Sequence, residues 1–193
     1  MGALAAETVD RVGRFLQGHP GVPPAMAVLL VVAVVVSGPL ARRVGCGRLA
    51  AVALLLACTA PLALTLPPAT DPDAELVIGC ALAVKRLAEW GRGGEELANL
   101  VMLAPAGALI VALLRRRAAV AAVLVATAFP IAVEAVQLLA PALRRSCEST
   151  DVLLNLVGLA AGVLAGVPVR LVRRPVRAAS TAPGPRPSVW RGT

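Results

Sequence analysis

The chain has no tyrosine, two phenylalanines, two tryptophans and a single histidine in 193 residues, and only 16% of its residues are charged. A sequence this poor in aromatics offers no platform for stacking bases, so its net charge of +8 does not point to a nucleic-acid partner. The lone histidine, His19, has no companion ligands and reads as a turn residue before Pro20. Neither a metal-ligand cluster nor a phosphate-cradling glycine loop is present, and no cofactor or metal is expected. The scarcity of charge also excludes a soluble domain. Too little polar surface remains to cover a chain that is 58% hydrophobic, with mean hydropathy +0.81.

What is present is long apolar runs. Segments near 22–41, 49–67, 97–114, 118–140 and 152–169 approach the ~17–25 residues that cross a bilayer as helix, and Glu134 is the only charge inside them. The expected fold is an all-α membrane protein of five transmembrane helices. A cleaved signal peptide is a poor alternative for the first run, because its basic flank follows the apolar core and Pro39 adjoins any cleavage site.

The basic residues are topological. Arg42, Arg43 and Arg48 lie between the first two spans, Arg115, Arg116 and Arg117 between the third and fourth, and six further arginines follow the fifth. These regions contain no acid, whereas the opposite side mixes both signs. The positive-inside bias therefore puts the N-terminus outside and the C-terminus in the cytoplasm of a bacterial plasma membrane.

Three regions follow: an N-terminal segment 1–21, a transmembrane domain 22–172 with an outer loop 68–96, and a basic cytoplasmic tail 173–193. Proline and small residues predict disorder for the tail. Val9, Val12, Phe15 and Leu16 have helical spacing, which leaves a surface helix or a frayed terminus open for the first segment. In the outer loop, 74–91 is too short and too charged to span, and predicts an interfacial or re-entrant helix carrying Trp90.

Of the four cysteines, Cys46 falls at the inner boundary and Cys58 within the second span. Cys80 and Cys147 both fall on the outer side, where they either pair as a disulfide or remain separate thiols.

Polar residues gather at the outer ends of three spans. Asn99 opens the third, which carries Pro105 and Gly107 deeper in. Glu134 and Gln137, three apart, share a face of the fourth. Arg144, Arg145, Glu148 and Asp151 follow. On the fifth span, Asp151, Asn155, Gly158 and Gly162 form one stripe that Gly166 continues, and glycines so spaced let a second helix backbone approach. Asn99, Glu134, Gln137, Arg145, Glu148, Asp151 and Asn155 are thus candidates for one outward-facing pocket, with Arg145 the natural partner of Asp151 or Glu134. The bland alternative is a polar clamp locking helices together.

In these residues the sequence resembles the VanZ-like family of integral membrane proteins. The resemblance rests on Asn99 with Pro105-x-Gly107, Glu134-x-x-Gln137, the series Arg145, Glu148, Asp151, and then Asn155, Gly158 and Gly162, over residues 97–166. It departs from the pattern where Leu103 and Ala104 replace the usual aromatic, and where Glu148 stands for the commoner Asp. The family takes its name from a member linked to resistance against the lipophilic glycopeptide teicoplanin. The outer-leaflet position and mixed charge of the pocket suit a headgroup with phosphate, sugar or peptide, so the expected partner is a membrane lipid, a lipid-linked wall precursor or such a glycopeptide. Two other readings stay open: an intramembrane enzyme using Glu134 and Asp151 on a lipid headgroup, and a small transporter or flippase subunit. The oligomeric state is left open.

Overall fold

A computed structural model describes residues 13–68, 80–85, 94–143 and 147–173. Its main helices are α1 (Val22–Val44), α2 (Arg48–Thr65), α3 (Gly94–Met102), α4 (Ala104–Leu113), α5 (Arg116–Leu139) and α6 (Ser149–Arg173). Two short strands, β1 (Cys80–Ala81) and β2 (Cys147–Glu148), pair in parallel. Five helical stretches are long and apolar enough to cross a membrane, with α3 and α4 together supplying one of them. The protein is mostly helical, and the only departure from an all-α description among the described residues is this small strand pair.

Each boundary has a local cause. Prolines occupy the first turn of α1, where a missing N–H costs nothing. Gly45 ends it in the left-handed region at φ 71°, and its N–H returns to the Ala41 carbonyl at 2.8 Å. The chain then enters α2, whose first residue, Arg48, reaches back across α1. Its guanidinium donates to Ser37 Oγ and to the Val34 carbonyl, both at 3.1 Å, so that the wholly buried Ser37 is satisfied.

The third span is not one helix. A single run over 97–114 is the sequence expectation, yet the chain breaks at Leu103 (φ −94°, ψ −7°) between α3 and α4. Pro105 supplies the reason. It has no N–H for the Val101 carbonyl, and its ring crowds that carbonyl in a continuous helix.

The outer loop also departs from expectation. Residues 80–85 are a strand and an extended tail rather than part of an interfacial helix, while 69–79 and 86–93, including Trp90, lie outside the described residues. Long-range pairing of β1 with β2 overrides the local apolar pattern. At the N-terminus, residues 13–18 are helical and His19 begins a turn, its N–H bonded to the Leu16 carbonyl at 3.3 Å. Residues 1–12 and the tail 174–193 are outside the described residues.

The bundle is centred on α4 and α6, which share its most extensive contact. They run parallel. A Cβ on Gly158 would collide with the Leu100 carbonyl, one on Gly162 with the Ala104 carbonyl, and one on Gly166 with Ala108. Both sets step by four in the same direction. Gly107 completes the seam from the other side, where a Cβ would lie 2.6 Å from the Leu159 carbonyl. These four glycines let two backbones touch, which van der Waals packing in lipid requires. Leu54, Ile110 and Ala119 join α2, α4 and α5 in the remaining buried core. By contrast Val28, Val31 and Val35 on α1 are more than 60% exposed, as side chains facing lipid tails are.

Candidate functional site

The parallel seam brings the starts of α3 and α6 to the same end of the bundle, and α5 delivers its own C-terminal turns there. Glu134, on α5, is buried at 9% exposure, and its Oε2 accepts the Glu148 backbone N–H at 2.8 Å. Gln137, one turn on, and Asn99, midway along α3, are each 8% exposed. Asp151 stands in the first turn of α6, where a carboxylate complements the helix dipole. Its carbonyl accepts from Asn155 Nδ2 at 2.9 Å. Asn155 Oδ1, fully enclosed, has no hydrogen-bond partner among the described residues.

The structure thus joins Glu134 to the main chain of Glu148, and Asn155 to that of Asp151. Asn99 and Gln137 are buried at the same end of the bundle. Arg144 and Arg145 lie outside the described residues, so the expected pairing of Arg145 with Asp151 or Glu134 has no description here. Pro105 opens α4 at the break, and Gly107, Gly158, Gly162 and Gly166 form the seam beneath the polar end.

Three participants were absent from the sequence reading. Lys85 Nζ lies 2.9 Å from Glu96 Oε1 and 3.4 Å from Glu148 Oε2, tying the outer loop to α3 and β2 at once. Its backbone N–H donates to Thr150 Oγ1 at 3.1 Å, and Thr150 is 1% exposed at the start of α6. The Glu96 hydrogen bond, followed by the field of Glu148, pushes the lysine further above its ordinary range. A raised lysine pKa adds stability that is complete below the unfolded value of ~10.4 and lost only above it, so Lys85 stays charged at neutral pH. No local signal marks Lys85. It lies five residues after Cys80, which is joined to Cys147.

That bond is a disulfide across 67 residues of sequence, with the two Cα atoms 4.5 Å apart and in register across β1 and β2. Cys46 and Cys58 are free thiols. Among the described residues no group of three histidine, cysteine, aspartate or glutamate side chains is arranged to hold a metal ion.

Comparison with protein families gives one decisive match: the model of the VanZ/LLP1 family covers residues 72–170, just over half of the chain. The chain belongs to the VanZ/LLP1 family. The matched stretch begins before Cys80 and ends at Arg170, so the VanZ/LLP1 region takes in the disulfide loop as well as the helices α3 to α6. It is wider than the 97–166 over which the sequence motifs are recognisable. At its far end Arg170 donates to the Val111 carbonyl at 3.3 Å, closing the α4–α6 pair opposite the polar cluster. Neither the curated proteins nor the solved structures include a match to this VanZ/LLP1 chain.

Proposed function

We propose that this VanZ/LLP1 membrane protein recognises a cell-envelope lipid, a lipid-linked wall precursor or a lipophilic glycopeptide at the outer face of the bacterial plasma membrane. The ligand headgroup binds at the polar end of the bundle. This reading takes the N-terminus as external and the C-terminus as cytoplasmic, from the distribution of arginines.

The observation that carries the reading is Asn155 Oδ1, enclosed and without a hydrogen-bond partner among the described residues, at the end of the bundle where Asn99, Glu134 and Gln137 are also buried. A clamp built only for stability satisfies its members. Leaving a buried acceptor without a donor costs about 1–3 kcal/mol, and native interiors rarely contain one without a role. A hydroxyl or amide of a sugar or peptide headgroup supplies the missing donor. Carboxylates at Glu134, Glu148 and Asp151 take further hydroxyls, and Arg145 contributes the anion contact in this proposal.

The test compares wild type with Glu134→Gln and Arg145→Ala at matched membrane expression, reading binding of a purified lipid-linked wall precursor together with teicoplanin susceptibility. At least tenfold weaker binding in either variant, with normal folding, supports the site. Unchanged binding and susceptibility in both reduces the cluster to a clamp. Precursor that still binds to Glu134→Gln but is no longer turned over would assign Glu134 to chemistry instead.

A further inference from the structure

The disulfide sits where its cleavage has a local consequence. β1 and β2 are two residues each, and a ribbon that short has no stability of its own. Their pairing depends on the covalent bond between Cys80 and Cys147. From β1 the chain runs directly to Lys85, whose N–H meets Thr150 and whose ammonium meets Glu96 and Glu148. From β2 the Glu148 N–H meets the Glu134 carboxylate. One bond therefore holds the loop and one buried carboxylate in place together. The membrane bundle itself does not rest on it, because the glycine seam of α6 against α3 and α4 involves no residue of the loop.

The two sulfurs also differ in access. Cys147 is 4% exposed, whereas Cys80 is partly open to the surface. An external thiolate attacks the reachable sulfur first.

We propose that Cys80–Cys147 is a redox switch that assembles the polar cluster when oxidised and releases it when reduced, while the helical bundle stays folded. The reductant is a dithiol, small or protein-borne, on the loop side of the membrane. One thiolate of the dithiol bonds to the Cys80 sulfur, and the Cys80–Cys147 bond breaks with its electron pair leaving on Cys147, which takes a proton. The second thiol of the dithiol then displaces the Cys80 sulfur, which is protonated in turn, and the dithiol closes its own disulfide. Two electrons and two protons pass to the protein. Freed of the tie, the β1 segment separates from β2 and Lys85 leaves Glu96 and Glu148.

The proposal is independent of ligand identity, and so is its primary test. Full-length protein in lipid nanodiscs is treated with dithiothreitol, thiol formation at Cys80 and Cys147 is confirmed by iodoacetamide labelling and mass analysis, and amide hydrogen exchange is compared with the oxidised form. Expected are at least tenfold faster exchange at the Lys85 and Glu148 amides and unchanged exchange within α4 and α6. Cys147→Ser reproduces the reduced pattern without reductant; should that variant fail to fold, reduction of the wild type still decides. Unchanged exchange at Lys85 and Glu148 after verified reduction overturns the switch. Faster exchange throughout α4 and α6 also overturns it, making the bond a general staple. Resistance to dithiothreitol until denaturant is added does the same. Binding of the lipid-linked wall precursor, measured in parallel, separates this proposal from the functional one. Local opening with no precursor binding in either redox state retains the switch and removes the ligand.

Discussion

The two ends of the α4–α6 pair are held by different physics. Along most of its length α6 touches α3 and α4 backbone to backbone, at Gly158, Gly162, Gly166 and Gly107. At the end where α3 and α6 begin, the Lys85 ammonium meets Glu96 and Glu148, the Glu134 carboxylate accepts the Glu148 N–H, and a disulfide ties the loop to β2. The first arrangement tolerates no added atom. The second is assembled from longer side chains and a loop segment. One pair of helices thus has a rigid half, fixed by backbone contact, and an adjustable half, built from side chains with rotamer freedom.

The largest effect that would break this contrast is an added side chain in the seam. Gly162→Leu forces Ala104 away and separates α4 from α6, so we expect a loss of about 3 kcal/mol or more, at the upper end of overpacking costs. The check is recovery of monodisperse protein after detergent extraction and its thermal midpoint.

Next in size is Glu134→Ala, which strands the Glu148 N–H and costs about 1–3 kcal/mol. Glu134→Gln retains an acceptor and should restore most of that loss in the same thermal measurement. Lys85→Ala removes ion pairs from a side chain that is 41% exposed, and is expected to lower stability by no more than about 1 kcal/mol. Its larger signature is faster exchange of the residue-85 amide that donates to Thr150. Smallest is Asn155→Leu. It loses one hydrogen bond but also removes the orphaned Oδ1, so the thermal midpoint should shift by less than about 1 kcal/mol equivalent while precursor binding falls. A large stability loss there would return Asn155 to the rigid half.

The rigid half was legible in the sequence and the adjustable half only partly so. Apolar runs and glycines four residues apart are local patterns, and each maps onto one helix with one face. The stripe from Asp151 to Gly166 therefore names its own contact surface before any partner is known. The break at Leu103 was carried by Pro105, yet proline inside a long apolar run is tolerated often enough (Pro39, Pro61, Pro130 and Pro168 all lie within unbroken helices) that its position alone did not separate α3 from α4. Lys85, Glu96 and Thr150 were missed for a different reason. Lys85 meets the other two from a loop tied to residue 147, and contacts made across such a loop leave no periodicity behind. The same bond explains the loop. Residues 80–85 carry an apolar pattern suited to a surface helix, but the strand pairing wins.

The parallel course of α4 and α6 makes the molecule its own compass. Two parallel spans separated by the single return of α5 must enter the bilayer from one side, and both cysteines of the disulfide lie at that entrance. Where a membrane separates an oxidising compartment from a reducing one, such a bond forms on the oxidising side. A copy inserted the other way up would present Cys80 and Cys147 to the reducing side and keep them as thiols. In its oxidised form the bond therefore records, covalently, which way up a molecule was threaded.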